Sequence, residues 1–575
     1  MKWFALTLIA LLCAIFLFAF SSNKKPTSLS VTEFKKKNII SCSPDRLELT
    51  KFLENTYITP MPGAGNYHWK IATASDSAQF YFDQGINMYY GFHIIEAMAS
   101  FKKAAELDPQ NLMVWWAQAL ALGPNINDVG YAASPAALDA TQKAVDLSEN
   151  ASAIEKMLIK AMTVRYSKDS TQSREKLNQD YVDEMSKAYQ QFPSNADAAA
   201  LYADALMLQH PWDLWNIDGS AKPWTPLIRE VLEKLLVKAP NHPGANHYYI
   251  HVLEASPYVA KAIPSADRLG KLTPGLSHMV HMPSHIYLRV GQFDKGIRVN
   301  EEAVKQFSLY SNLFPAVNEN AFLYQWHNLH LQTNCALLSG RYEYAKKSAL
   351  DLKAAIDTAG LSMAPPMGNY LQYMFMTPLL VDVRYGKWND LLAMPAPAEH
   401  HIYANILYHF ARGMAYAALK DFAAAEKEKT EIQGLMKDGG LTIPIKPFSP
   451  VIEGARSAEA LLSGFIYVKQ NNIADAIIHL QKATEIESKM TYAEPRDWML
   501  SPKQYLGSAY LAAKKYSEAQ TTFESDLKAN ADNVWSLYGL EQSLVKQKKQ
   551  TEATKIKNKL TKALVGSDTK PGIML

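Results

Sequence analysis

The chain has 575 residues, of which 48% are hydrophobic and 11% aromatic, and its formal net charge at pH 7 is only +3. This composition is typical of a folded protein that is long enough for several domains or for one extended array of repeats. The weak net charge and the 20% of charged residues leave no strongly basic surface for a nucleic acid, so that class of partner is excluded.

The first residues predict export from the cytoplasm. Lys2 precedes an unbroken apolar run that ends at Phe20, and small residues at its end form a cleavage site. The run is also long enough to remain as an uncleaved membrane anchor. We therefore expect a signal peptide or N-terminal anchor over 1–22 and a leader or tether over 23–70. The body of the protein would then be periplasmic or membrane-anchored, facing outside the cytoplasm.

The first helical hairpin is predicted from the stretch "YFDQGINMYYGFHIIEAMASFKKAAELDP". Small residues at fixed spacing let two helices cross closely, and a proline ends the second helix. The residues that show this spacing are Gly85, Ala97, Phe101, Ala104 and Pro109. The spacing is that of a tetratricopeptide repeat (TPR), a unit of two helices that stacks on its neighbours.

One kind of inter-helix turn recurs along the rest of the chain. It is found as GQFDKG (291–296), GRYEYA (340–345), KDFAAA (420–425), NNIADA (471–476), KKYSEA (514–519) and KKQTEA (548–553). We therefore predict an all-α solenoid of TPR-type helical hairpins in two arrays. The predicted divisions are an N-terminal array over 71–360, a Pro- and Met-rich seam over 361–399, a C-terminal array over 400–564 and a tail over 565–575.

Several residues of the N-terminal array interrupt the repeat pattern and are candidates for binding a ligand. Polar residues in ALGPNINDVG stand where a helix would be expected to turn, and a Trp- and Pro-rich loop is inserted over 208–226. That loop is long enough to cover a groove as a lid. The candidates are Asn125, Asn127, Asp128, Asp204, Trp212, Asp213, Trp215 and Arg289. The alternative is that the Asn and Asp residues form turns and that the Trp residues pack.

Histidines recur at the repeat period. His247 and His281 are 281 − 247 = 34 residues apart, and His251 and His285 are 285 − 251 = 34 residues apart. With repeats that start at 243, 277 and 326, these histidines and others fall where first helices face the concave groove. The groove-facing set is His247, His251, Glu254, His278, His281, His285, His327 and His330. Residues four apart share a helix face, so we predict one patch across three adjacent helices.

The histidine patch predicts a metal site. Neutral imidazole is the commonest ligand of zinc, copper, nickel and iron in proteins. Three histidines with Glu254 would leave one coordination position open, as in a catalytic site. The alternatives are a hydrogen-bonded polar lining that binds a carboxylate or a peptide, and simple packing. We assign His93, His409 and His479 to local hydrogen bonds, outside the patch.

Two blocks of the sequence resemble exported bacterial TPR proteins. They are "YFDQGINMYYGF…EAMASFKKAAELDP…WWAQALALGPNIN" and "HPGANHYYIHVLEASP…ADRLGKL…HMVHMPSHIYLRVGQF". The similarity runs over about 78–345, whereas 400–560 matches only the general repeat pattern. The resemblance implies the helical-repeat fold and no particular activity.

Two functions from different classes follow from these features. The first is a metal-dependent site for binding or hydrolysis, with water on the metal and Glu254 or Asp204 as a base. The second is a non-enzymatic scaffold that holds a peptide or a partner protein in its groove. The sequence contains no H-E-x-x-H, phosphate-binding Gly-rich loop or G-x-S-x-G motif that would favour another reaction. We expect contact with a membrane only through the N-terminal segment.

Overall fold

The computed structural model of the chain describes residues 58–126, 135–169, 171–313, 318–445, 448–494 and 496–572. The segment predicted as a signal peptide or anchor, and most of the tether, lie outside these ranges. The described residues contain no β-strand, only isolated bridges such as the one between Trp215 and Ala221. The all-α prediction is confirmed.

Most helices of the N-terminal half follow one another with short connections, apart from the inserted loop between α7 and α8. They are α1 (Asp76–Tyr90), α2 (Ile94–Leu107), α3 (Leu112–Ala121), α4 (Pro135–Asp146), α5 (Ala153–Arg165), α6 (Arg174–Gln191), α7 (Ala196–Gln209), α8 (Thr225–Lys238), α9 (Pro243–Leu253), α10 (Ile263–Leu272), α11 (Ser277–His281), α12 (Pro283–Arg289), α13 (Phe293–Leu313), α14 (Asn318–Leu338) and α15 (Tyr342–Ala355).

The helices of the C-terminal half continue the same pattern. They are α16 (Met367–Phe375), α17 (Thr377–Arg384), α18 (Trp388–Ala393), α19 (Ile402–Ala418), α20 (Phe422–Leu435), α21 (Val451–Lys469), α22 (Ile473–Ser488), α23 (Pro502–Ala512), α24 (Tyr516–Ala529), α25 (Val534–Lys546) and α26 (Gln550–Ala563).

Consecutive helices pack as hairpins, and each hairpin packs on the next. The pairs α1–α2, α5–α6, α13–α14, α19–α20, α21–α22, α23–α24 and α25–α26 all show this arrangement. In the first hairpin, a Cβ atom at Gly85 would lie 2.4 Å from the ring of Phe101. Only glycine therefore fits at this helix crossing, as the repeat spacing predicts. The chain is a TPR-type helical-hairpin solenoid.

The six recurring turns share one backbone feature. Each begins with a residue at positive φ, either a glycine or a Lys or Asn. The residues are Gly291, Gly340, Lys420, Asn471, Lys514 and Lys548, with φ between 58° and 75°. A left-handed residue after the last helical turn is a common way to end an α-helix, and here it reverses the chain into the second helix of each hairpin.

The stretch predicted as a seam, 361–399, contains three short helices, α16–α18. One large core lies in the N-terminal half and ends at Tyr324, and another runs from Tyr373 to Ala553. Between them, α17 packs against both α15 and α19. The helices of this stretch therefore contact the repeats on both sides, and the predicted division into two arrays at this point stays a prediction.

The C-terminal helices also pack back on the middle of the chain. Trp535 in α25 donates a hydrogen bond of 2.9 Å from its Nε1 atom to the carbonyl oxygen of Leu337. The carboxylate of Asp568 accepts hydrogen bonds from the backbone N–H groups of Tyr342 and Glu343. These contacts hold the C-terminal half beside the helices that carry the histidines.

We searched the described residues for helices that could cross a membrane. None of them has both the length and the apolar character that a membrane-spanning helix needs.

Candidate metal centre

Neighbouring helices place the histidines. α9 carries His247 and His251, and α14 carries His327. Between them, Pro283 divides one predicted helix into α11 and α12, because proline has no N–H group to continue the helical hydrogen bonds. α11 packs against α14, and α12 packs against α9. The three first helices of the sequence prediction therefore lie side by side.

Six of the seven predicted histidines form two groups of three, which we call the first and second triads. The first triad is His247, His251 and His278, and its candidate ligand atoms all lie within 4.8 Å of one another. The Nε2 atoms of His247 and His251 are 3.0 Å apart. All three side chains are buried, and the ring of Phe92 packs beside each of them.

The second triad is His281, His285 and His327, with the same 4.8 Å limit on the distances between its ligand atoms. The Nε2 atom of His285 is 2.9 Å from that of His281 and 3.4 Å from that of His327. Nitrogens bound to one tetrahedral ion at 2.0–2.1 Å are about 3.3 Å apart. The Nε2 pairs at 2.9–3.4 Å therefore have nearly the spacing of ligands on one metal ion.

Two backbone or amide oxygens fix which ring nitrogen faces inward. His247 Nδ1 is 2.6 Å from the carbonyl oxygen of Tyr90, and His281 Nδ1 is 2.6 Å from Oδ1 of Asn300. The Nδ2 atom of Asn300 donates to the carbonyl of Gly296, which fixes the amide orientation. Because these oxygens only accept hydrogen bonds, each Nδ1 carries the proton. The Nε2 lone pairs then point into the triads, the arrangement found in metal-binding histidines.

A carboxylate lies between the two triads on their outer side. Glu254 places Oε1 3.3 Å from His251 Nδ1 and Oε2 3.0 Å from His285 Nδ1. A second carboxylate, Glu494, is 2.7 Å from the same His285 nitrogen. Although burial opposes it, these two carboxylates raise the pKa of His285, and the histidines hold the pKa of Glu254 below its usual range. Glu254 therefore links one histidine of each triad.

Glu494 is a site residue that the sequence analysis did not identify. It lies between α22 and α23, in a connection longer than the six recurring turns, and this length is the only sequence feature that points to it. Nearby, the guanidinium of Arg289 is 5.1 Å from the ring of Tyr492. This connection brings a residue of the C-terminal half to the histidines of the N-terminal half.

Burial sets the protonation state of four of the six triad histidines. It lowers the pKa of His247, His278 and His281 well below the usual range, and neighbouring histidines lower it further. Burial also lowers the pKa of His327, to about 3. These four imidazoles are neutral at pH 7, which is the state in which histidine binds a metal.

The remaining predicted residues lie at different distances from the triads. His330 is buried outside them, with its ring 5.6 Å from that of Tyr373. The ring of Trp212 meets that of His251 edge-on at 5.1 Å, so part of the inserted loop covers the first triad. Asp204 is buried and accepts a hydrogen bond from a tyrosine hydroxyl rather than from a histidine.

Other predicted ligand residues have local partners. Trp215 donates to the carbonyl of Val252, and the exposed carboxylate of Asp213 pairs with Lys222. Arg289 donates to the backbone carbonyls of Glu254, at 2.5 Å, and Ser256. These bonds stabilise the end of α9. Asn125 is buried next to the inserted loop, whereas Asn127 and Asp128 lie outside the described residues.

The histidines assigned to local roles lie apart from the triads. His409 Nδ1 is 2.5 Å from a carboxylate oxygen of Glu428, and His479 stacks on Tyr467 with ring centroids 5.2 Å apart. His93 is buried, its ring is 6.1 Å from that of Tyr324, and burial lowers its pKa to about 4.

Comparison with known proteins finds distant structural likeness only. No protein-family model matches the chain, and no curated protein matches it. The human IFIT1 dimer with m7Gppp-AAAA has a TM-score of 0.28 at 14% identity, covering 87% of this chain and 92% of that one. The APC/C hetero-tetramer Cut9–Hcn1 has a TM-score of 0.27 at 14% identity (83% and 78% covered), and yeast Tom70 has 0.26 at 12% identity (83% and 90% covered). The helical-repeat fold therefore rests on the chain's own hairpins.

Proposed function

We propose that this chain is an exported TPR-type protein that binds transition-metal ions, one in each histidine triad. One observation carries the proposal. In each triad, Nε2 atoms 2.9–3.4 Å apart face one another while a fixed oxygen accepts from one outer Nδ1–H group. Lone pairs that face each other in a buried space repel unless a cation or a proton lies between them.

The ligand set indicates which metals would bind. Neutral imidazoles favour zinc, copper, nickel or iron over magnesium or calcium, which prefer oxygen ligands. Three ligands leave a fourth position for water or a small molecule, and a bound ion would supply a Lewis acid there. Glu254 contacts outer nitrogens, so we assign it to orienting His251 and His285 rather than to acting as a base.

The third group of possible ligands is Glu254, His285 and Glu494, which also lie within 4.8 Å of one another. An ion at this position would be bound by the two carboxylates together with His285 Nδ1, in place of the proton on that nitrogen. We favour the triads because their ligand atoms are all imidazole nitrogens and because the carboxylates then hold His285 in position, as carboxylates do for metal-bound histidines.

Elemental analysis tests the proposal. The chain is purified without a histidine tag, incubated with zinc, copper, nickel or iron, and freed of excess metal. We expect up to two ions per chain. Replacing His247 and His281 together by alanine should abolish stoichiometric binding, because each triad then keeps only two ligands. Replacing either one alone should leave one ion.

The matched control replaces His409 and His479 by alanine, which changes the same number of histidines outside the triads. This control should keep both ions. Metal-free wild-type protein after reconstitution with each of the four metals, or an unchanged metal content in the double triad variant, would overturn the proposal.

The alternative function is a non-enzymatic scaffold that binds a peptide or a partner protein. The TPR-type hairpins support it, but the triad histidines are largely buried, at 6% exposure or less for those in α9, α11 and α12. A peptide in the N-terminal groove would not reach them, so a partner surface is better placed on the C-terminal repeats. Export stays a prediction, which a reporter fused after residue 70 would test: its activity should appear only outside the cytoplasm.

A further inference from the structure

Outside the triads, Arg165 is a buried cation that forms no ion pair among the described residues. Arg165, at the end of α5, is fully buried. Its Nη2 atom donates to the carbonyl of Pro124 at 2.7 Å, and its Cζ atom lies 4.4 Å from the ring centroid of Tyr181. Its Nε and Nη1 atoms have no hydrogen-bond partner within the part of the chain that the structure describes. No carboxylate of the described residues forms an ion pair with it.

Buried tyrosines lie in the neighbourhood of this guanidinium, with the ring of Tyr181 the nearest of those described. The hydroxyls of Tyr181 and Tyr248 are buried and, among the described residues, also have no hydrogen-bond partner. Tyr89 donates at 3.2 Å to Asp204, which is 1% exposed. Burial raises the pKa of Asp204 to about 6, although Arg165 opposes the rise. Asp204 is therefore close enough to Arg165 for their charges to interact, but no ion pair joins the two side chains.

A glycine in the turn after α3 makes room for the cation. A Cβ atom at Gly123 would lie 2.5 Å from Cζ of Arg165, so only glycine allows this approach. The same turn continues to Ile126, whose carbonyl accepts from Nε1 of Trp212 at 3.1 Å. Trp212 in turn covers His251 of the first triad. The turn beside Arg165 therefore contacts the tryptophan that covers the first triad.

The unpaired groups can all donate hydrogen bonds. A buried guanidinium loses much free energy unless an anion or several acceptors satisfy it. The free N–H groups of Arg165 and the hydroxyls of Tyr181 and Tyr248 together match the acceptor oxygens of a carboxylate. Around them, tyrosine rings supply flat apolar walls, which suit an organic body better than a bare inorganic ion.

We propose that Arg165, with the hydroxyls of Tyr181 and Tyr248, binds the carboxylate of a small organic acid. Arg165 neutralises the charge, and the two phenols donate hydrogen bonds. Asp204 does not contact the ligand and accepts the hydrogen bond of the Tyr89 hydroxyl. The site does not depend on the triads for its charge or its donors, so its failure and that of the proposed metal function are separable.

Metal-free, full-length protein tests the site. The probes are sodium acetate and sodium benzoate, with sodium chloride at equal ionic strength as the reference. We expect a saturable rise in Tm and a calorimetric binding isotherm with the carboxylates, larger for benzoate because its ring contacts the tyrosines. Arg165→Met should abolish both signals. The matched control is Arg384→Met, which removes a buried arginine bonded to Gln504 in the other half of the chain and should keep them.

A second variant covers the case in which Arg165→Met does not fold. Tyr181→Phe combined with Tyr248→Phe removes only two hydroxyl oxygens and should weaken carboxylate binding by about tenfold or more. Two outcomes would overturn the proposal. One is a wild-type protein whose Tm responds to carboxylates no more than to chloride, as ordered water around Arg165 would produce. The other is a double phenylalanine variant that keeps wild-type affinity.

Discussion

Two buried polar clusters, one in each half of the molecule, are satisfied in opposite ways. In the C-terminal half, one carboxylate accepts five hydrogen bonds between 2.6 and 3.2 Å. The acceptor is Asp526, and the donors are Ser501, Gln504, Asn530, Asn533 and Ser536. Each donor meets an acceptor, so this network is complete within the chain itself.

In the N-terminal half, imidazole nitrogens face one another. The Nε2 atoms of each triad lie close together, and the outer Nδ1 atoms of His247 and His281 carry protons that fixed oxygens accept. Such a cluster is incomplete until a positive species binds inside it. The comparison teaches that a buried polar network which lacks only donors indicates a ligand site, whereas a complete one indicates a structural role.

The largest expected effect is on the complete network. Asp526→Ala removes the shared acceptor and leaves several buried donors unpaired, so the free energy of unfolding in urea should fall by about 3–5 kcal/mol. The loss should be the same with and without metal, because the network needs no ligand. A loss that disappears when zinc is added would contradict the contrast between the halves.

Metal should stabilise the incomplete network instead. Zinc or copper at a hundredfold excess over its Kd should raise the free energy of unfolding by about 2.7 kcal/mol for each occupied triad. The measurement is a urea titration with and without metal. The His247→Ala, His281→Ala double variant should show no such increase, and an increase that persists in it would place the metal elsewhere.

A smaller effect is expected from the groups that hold the ligands. Asn300→Ala removes the oxygen that accepts from His281 Nδ1, so metal affinity of the second triad should weaken by about 10–100-fold. Competition with a metal-binding dye would measure it, and the first triad should be unaffected. The control is Asn405→Ala, a buried asparagine that donates only to backbone carbonyls. Equal loss in both variants would mean that Asn300 acts only through general stability.

The smallest effect, counted per pH unit, is a difference in pH dependence between two buried groups. Burial lowers the pKa of His330 to about 3, so between pH 6.5 and 3 the unfolded chain binds a proton there that the folded chain does not. Stability from this group is present above pH 6.5 and is lost as pH falls, by about 1.4 kcal/mol per pH unit at most. His330→Leu should therefore flatten the acid limb of a stability–pH curve measured in urea.

Asp497 should act in the opposite direction. Burial raises its pKa to about 7, so between pH 4 and 7 the folded chain holds a proton that the unfolded chain has lost. Its contribution is full at pH 4 and is lost as pH rises through 7, again by about 1.4 kcal/mol per pH unit at most. Asp497→Asn should remove that loss. Curves of the two variants that change in the same direction would contradict this assignment.

The sequence was sufficient for the repeated parts of the molecule. Hairpin spacing, the six turns and the 34-residue histidine period all depend on local geometry, which repeats with the chain. The pattern therefore identified six histidines that meet in space. It placed them on a groove that the inserted loop with Trp212 could cover, and in the structure they are buried, with Glu494 from an irregular connection as an additional contact.

Residues that depend on distant contacts could not be predicted. Glu494 reaches His285 only because the C-terminal helices pack back on the middle of the chain. Arg165 resembles any basic residue at the end of a helix until its burial and its missing partners are seen. Periodicity describes which face a residue occupies within its own repeat, and it contains no information about contacts between repeats far apart in the chain.

The most direct test of the central claim is anomalous diffraction from crystals of the zinc-loaded protein, measured on both sides of the zinc absorption edge. We predict two peaks, one about 2.0–2.1 Å from the Nε2 atoms of His247 and His251 and the other at the same distance from those of His281 and His285. Density absent from both triads, with zinc bound only at surface residues, would contradict the account.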